Sequence, residues 1–231
     1  MARRIKCFGG KESTLPIKDK KLLKRVMDYL IYEKEHAKSD IKKYQAYRNY
    51  ILFLVGFNTA FRAEDLLQLR VKDVEKGYVS IKENKTGKMQ NFRMNKQLFE
   101  EIKEYIKTYE LTKNDYLFMG QKKKDTYKGN TKNVIYPMTR QNCQEVIFPK
   151  VKKACGIDFK FGLHSLRKTF GYMYIEGGGN VITLMKMYNH DSPDVTLLYV
   201  MWNTSDIEKE RESIFIGGTR WEKRYVYWCY C

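Results

Sequence analysis

Along residues 18–37 the apolar positions Leu22, Leu23, Val26, Met27, Leu30 and Ile31 return every three or four residues, the spacing that lines one face of a helix. From Asp40 onward Ile41, Tyr44, Tyr47, Ile51, Leu54 and Val55 repeat the pattern, so two amphipathic helices are predicted to pack together. A short third helix is expected at 63–69. The period then switches. Residues 77–81 and 90–94 read as strands joined through Asn84-Lys85-Thr86-Gly87, a hairpin signal. Asn95 is placed to cap a helix at 96–108, with Leu98, Ile102, Tyr105 and Ile106 on its apolar side.

The run QKKKDTYKGNTK at 121–132 carries five lysines and one aspartate and is read as a loop. Further helices are predicted at 139–155, bent or broken by Pro149, and at 163–176, stopping at Gly177-Gly178-Gly179. Asn180 is placed to cap another, Ser192-Pro193 opens one that reaches about Trp202, and 206–213 forms the last. Residues 1–15 are basic and aperiodic, a flexible arm. Residues 16–216 are expected to form one mainly α domain with a small antiparallel β-sheet, an α+β fold. Residues 217–231, ending in YVYWCYC, are a tail without an assigned role.

Composition narrows the function. With 43% hydrophobic residues, a chain of 231 residues can bury a core. Its longest apolar run, at 50–57, is far shorter than the roughly 20 residues of a membrane-spanning helix, and no apolar signal core follows the opening MARRIK. A cytoplasmic protein is expected. The five cysteines (Cys7, Cys143, Cys155, Cys229 and Cys231) are odd in number and lack C-x-x-C spacing, which argues against both a zinc cluster and a disulfide framework. Lysine and arginine total 44 against 27 acidic residues, a net charge of +17 that favours a polyanion. Nucleic acid comes first and an anionic membrane second, the latter because no basic amphipathic helix with exposed apolar anchors is visible.

Only three histidines occur, and one opens HSLRKTF at 164–170, where His164 and Arg167 are spaced to share one helix face. Alone, the pair fits a helix-start histidine and a surface arginine better than a site. Two other stretches change its meaning. In TAFRAEDLLQL, Arg62 directly precedes an amphipathic helix; in YNHDSPDVTLLYV, His190 ends one helix and Tyr199 lies in the next.

Taken in order, Arg62, Lys85, His164-x-x-Arg167, His190 and Tyr199 resemble the active site of the tyrosine recombinases, the phage integrase family. Members carry an arginine in a Thr-Gly-Leu-Arg stretch, a lysine in a β-hairpin, a His-x-x-Arg motif, and a histidine followed nine residues later by a nucleophilic tyrosine. The resemblance runs from about residue 18 to 215. It implies a site-specific recombinase that cleaves and rejoins DNA through a 3′-phosphotyrosyl link, in integration or excision of a mobile element. Arg62 and Arg167 would clasp the non-bridging phosphate oxygens, as planar guanidinium forks do well. Tyr199, a phenol with an ordinary pKa of about 10, would be the nucleophile. His164 is the implied base and His190 the implied phosphate hydrogen-bond donor. Lys85 is the implied general acid, chosen over Lys82 and Lys88 by its KTG context. Asp65, where the family has glutamate, would orient Arg62.

The resemblance further implies double-stranded DNA as partner, a homo-oligomer, a tetramer, on it, and accessory DNA-bending proteins. Lys88, Lys122, Lys123, Lys124 and Arg140 are candidates for backbone contacts. No metal and no cofactor are expected, because the motif segments hold cations and bases rather than clustered carboxylates. Departures are Ala60 and Phe61 for the usual glycine and leucine, and Asn189 for a usual glycine. Only 61 residues precede Arg62, so the chain is expected to be a catalytic domain alone, either a fragment or a minimal member of a family that usually carries a separate N-terminal domain. Ile214, Phe215 and Ile216 either dock on a neighbouring subunit or cover their own core. A type IB topoisomerase and a DNA-binding module without turnover are the rival readings.

Overall fold

The computed structural model describes residues 13–127, 130–214 and 216. Most of the expected arm, residues 1–12, and the tail 217–231 lie outside the described residues. Helix starts follow from local chemistry, since the first backbone N–H groups of a helix need an outside acceptor. Asp19 accepts from Lys21 N–H before α1 (Lys20–His36), and Ser39 does so from Lys42 before α2 (Asp40–Asn58). The short α3 (Ala63–Leu67) follows Arg62, and a kinked 3-10 segment, Val71–Gly77, turns through Lys76 and Gly77 at positive φ. Strands β1 (Tyr78–Lys82) and β2 (Met89–Arg93) pair antiparallel, each bound one residue closer to the turn than expected. Asn95 caps α4 (Lys96–Thr108), as its side chain accepts from Gln97 N–H.

The lysine-rich run corrects the sequence reading. Instead of a loop, β3 (Met119–Tyr127) and β4 (Asn130–Pro137) form a second antiparallel hairpin, with Lys122 opposite Ile135 and Lys124 opposite Asn133. Charge says little about backbone shape, whereas Thr126, Tyr127, Thr131, Val134, Ile135 and Tyr136 all favour an extended pleat. The expected helix at 139–155 is realised as α5 (Arg140–Asn142), a wide π turn over Cys143–Ile147, and α6 (Phe148–Cys155). In that turn Phe148 N–H donates to Cys143 O. The extra residue spares the ring of Pro149 a clash with the preceding carbonyls.

Helix α2 is buried on nearly every side between Tyr47 and Gly56 and forms the axis of the core. Phe53 stacks on Phe148 with ring centroids 4.9 Å apart. Gly56 lets α7 (Leu163–Glu176) approach closely, since a Cβ there would sit 3.0 Å from Leu166 Cβ. Asn180 caps α8 (Val181–Tyr188), which ends in left-handed Asn189, and Ser192 caps α9 (Pro193–Val200). The left-handed backbone explains asparagine in place of the usual glycine, because asparagine tolerates that region better than other side chains. A second compact unit begins at Trp202 and contains α10 (Thr204–Ser213), closed at its start by reciprocal bonds between Asn203 and Asp206. Among the described residues no helix is long and apolar enough to cross a membrane.

Gly171 on α7 faces the buried Tyr188 and Val200, and a Cβ there would run into the Tyr188 hydroxyl and lie 2.6 Å from Val200 Cγ1. Gly171→Ala is therefore expected to destabilise by about 1–3 kcal/mol, read as a lower urea midpoint with an unchanged slope.

Candidate active site

Three segments distant in sequence meet at one backbone oxygen. Arg62 stands just before α3, Arg167 one turn into α7, and Tyr188 at the end of α8. The Tyr188 carbonyl accepts from Arg62 Nη2 at 3.2 Å and from Arg167 Nη2 at 3.0 Å. Arg167 Nη1 donates to the Ala60 carbonyl, and the Arg167 guanidinium lies 4.2 Å over the Tyr188 ring. Tyr188 Oη returns a bond to the Arg167 carbonyl at 2.5 Å. Arg167 is only 2% exposed, so its orientation is imposed by these partners.

A carboxylate completes the cluster. Glu83, 1% exposed, forms an ion pair with Arg62 Nη1 at 2.6 Å. It also accepts from Thr86 Oγ1 at 2.5 Å and from Gln90 Nε2. Burial by itself would raise its pKa, but the Thr86 hydroxyl and Arg62 outweigh that and hold the carboxyl below the usual range. Asp65, read from sequence as the Arg62 partner, accepts instead from Asn84 N–H at 2.9 Å, in the turn between β1 and β2. Burial pushes the Asp65 carboxyl up, against the pull of that N–H and of the two arginines.

Tyr199 and His190 adjoin the arginines. Their ring centroids are 5.3 Å apart, and the Tyr199 ring lies 5.8 Å from the Arg167 guanidinium. Burial raises the Tyr199 phenol above its ordinary pKa, with Arg167 and Arg62 pulling it back. His190 Nδ1 lies 3.1 Å from Thr196 Oγ1, whose own hydroxyl donates to the Ser192 carbonyl. The hydroxyl proton is thereby used, so His190 Nδ1–H is the donor of the pair and Nε2 of the neutral ring is left as an acceptor. Burial, then Arg167 and Arg62, depress His190 to about 4. His164, half-buried at the start of α7, is lowered by burial and by Arg140, Arg167 and Lys168, with Glu64 opposing.

The remaining sequence candidates spread around this centre. Lys85 is exposed in the β1–β2 turn and contributes to the field that lowers His190; Lys88 is exposed beyond it. Arg140, exposed at the start of α5, pairs with Glu64 at 2.9 Å. Lys122, Lys123 and Lys124 lie along β3. Lys168, read from sequence only as part of a motif, is buried, holds its ammonium 5.2 Å over the Tyr199 ring, and donates to Ser13 Oγ and the Thr14 carbonyl. Among the described residues no three His, Cys, Asp or Glu side chains converge as a metal site would require.

Sequence reasoning passed over Glu83, Tyr188 and Thr196. Glu83 left a signal: it continues the inward phase of Val79 and Ile81 while Tyr78, Ser80 and Lys82 face out, an acid at an apolar position of the pleat. Tyr188 left none, because its contribution to the arginines is a backbone oxygen.

Comparison with known proteins bears on the family and the fold. The Phage integrase family matches residues 20–205. "Probable integrase/recombinase YoeC" of Bacillus subtilis (strain 168) is 32% identical over 186 residues, 80% of this chain and 88% of that protein. The crystal structure of XerA recombinase superposes with a TM-score of 0.63 at 19% identity, over 86% of this chain and 63% of that one. XerH site-specific recombinase in its post-cleavage complex with palindromic difH substrate gives 0.62 at 20% identity, over 89% and 55%. At such identities the two structures speak for the fold, and this chain spans less than two thirds of each. With the family matching most of its length, the chain belongs to the phage integrase family of tyrosine recombinases.

Proposed function

We propose that this protein breaks and rejoins DNA strands as a site-specific recombinase, working on duplex DNA in the integration or excision of a mobile element. The observation that carries the reading is the pairing of Arg62 and Arg167 on one carbonyl, with the Tyr199 ring beside Arg167 and His190. Two fixed guanidinium groups suit the non-bridging oxygens of a phosphodiester, whose charge grows as a fifth oxygen approaches phosphorus. Tyr199 Oη forms the new bond to phosphorus while the bond to the 5′ oxygen breaks. The phenolic proton passes to His164, and Lys85 gives a proton to the departing oxygen. A 5′ hydroxyl from the partner strand then attacks the 3′-phosphotyrosyl link and releases Tyr199.

His190 serves the phosphate as a donor once it is doubly protonated, since its Nε2 is an acceptor in the neutral ring. Lys88 and Arg140, with the lysines of β3, supply sequence-independent contacts to flanking phosphates. Strand exchange needs two duplexes, which supports assembly of several copies on DNA, a tetramer being the arrangement we favour. That XerH is described bound to its difH substrate after cleavage supports DNA as the partner.

Two measurements check this reading. On a nicked suicide duplex the protein is expected to form a covalent adduct that Tyr199→Phe abolishes, and Arg62→Ala or Arg167→Ala should slow adduct formation by about 10²–10³-fold. Salt-sensitive binding with no adduct in any condition would instead make it a DNA-binding module. In the DNA-free protein the His190 ring should titrate at about 4 by NMR. Because an adjacent phosphodiester anion favours the imidazolium, DNA should move that midpoint upward; a midpoint indifferent to DNA contradicts the donor role.

A further inference from the structure

Glu83 is a buried carboxylate, and a carboxylate out of water is tolerated only when its oxygens are occupied by strong donors. Its partners come from three places, one of them the side chain of Asn189 just past α8. Arg62 Nη1 belongs to the phosphate-facing pair, whereas Thr86 Oγ1 and Gln90 Nε2 belong to the β1–β2 hairpin. The backbone of the same residue closes the turn: Glu83 N–H donates to the Lys88 carbonyl at 2.9 Å, and its carbonyl accepts from Gly87 N–H at 2.9 Å. Asn84 N–H is fixed to Asp65. The residues around Lys85 are thus held from several sides, and Lys85 itself stays exposed.

We propose that Glu83 is a positioning residue for strand cleavage, tying the hairpin turn that carries Lys85 to Arg62 so that both address the same phosphate. The inference rests on reading Lys85 as the donor of the leaving-group proton. Without the tie, Arg62 still reaches phosphate, but the lysine loses its registration on the departing 5′ oxygen. Glutamine keeps the size of the side chain and breaks the tie, because its amide nitrogen presents hydrogens to donors and its charge is gone.

The test compares two nicked duplexes under single-turnover conditions with the full chain. One is ordinary DNA; in the other the leaving 5′ oxygen is replaced by sulfur, which departs as a thiolate without needing a proton, a thiol being far more acidic than an alcohol. Glu83→Gln is expected to slow adduct formation on ordinary DNA by about a hundredfold, to leave the DNA dissociation constant within about twofold, and to recover most of its rate on the sulfur substrate. Lys85→Ala should behave alike, while Arg62→Ala stays slow on both. Equal deficits of Glu83→Gln on the two substrates, or no deficit on ordinary DNA, overturn the proposal. If Glu83→Gln does not fold, Thr86→Val removes the hydroxyl bond alone and should show the same pattern at about tenfold; its absence there is equally decisive. A Lys85→Ala variant that sulfur fails to rescue condemns the proton-donor reading itself, a result separable from a Glu83 failure beside a rescued lysine variant.

Discussion

Two guanidinium groups of like charge repel one another, and burial makes that repulsion stronger. In this protein they stay side by side because Tyr188 offers one carbonyl to both, Ala60 offers a second oxygen to Arg167, and Glu83 neutralises Arg62. Several elements of the fold keep those acceptors in place. The close approach of α7 to α2 at Gly56 sets Arg167, the end of α8 sets the shared carbonyl, and the β1–β2 hairpin delivers the carboxylate. Segments far apart in the chain are joined by charge satisfaction as much as by apolar packing.

The electrostatic state of the site suits an anionic guest. His190 is held neutral, Tyr199 is held protonated, and the arginines are fixed at some loss of hydration. A phenol raised in pKa by burial is no nucleophile on its own, and an arriving phosphodiester anion would raise it further. Proton transfer away from Tyr199 must therefore accompany attack in the proposed reaction. Arginine is the right residue here because it remains charged when buried, whereas a lysine in so dry a position would tend to lose its proton.

Much of the fold was legible because helix starts are written locally. Asn95, Asn180 and Ser192, singled out as caps, each accept from a backbone N–H at a helix start, and Asp19 and Ser39 do the same for the two helices read from apolar spacing. The lysine-rich hairpin was misread because strand pairing depends on a partner several residues away, and charge masked the β-preferring residues of β4. In the site, the ordered arginines, histidines and tyrosine were picked out by their resemblance to the tyrosine recombinase motifs, and the structure brings Arg62, Arg167, His190 and Tyr199 together. Glu83 was hidden among lysines of the hairpin, and a main-chain oxygen such as that of Tyr188 has no signature in a sequence at all. The Asn189 backbone, left-handed at φ 52, is a conformation that asparagine tolerates better than most residues, which fits asparagine at this position.

The contacts of Lys168 have a mechanical meaning. One ammonium holds both Ser13 and Thr14 and rests over the ring of Tyr199. The chain leading into α1 is in that way moored to the aromatic ring beside the arginines, and Ile17 N–H, which donates to Thr169 Oγ1, and Leu15 N–H, which donates to the Lys160 carbonyl, moor it further, so the approach to α1 and the surroundings of Tyr199 form one fastened unit.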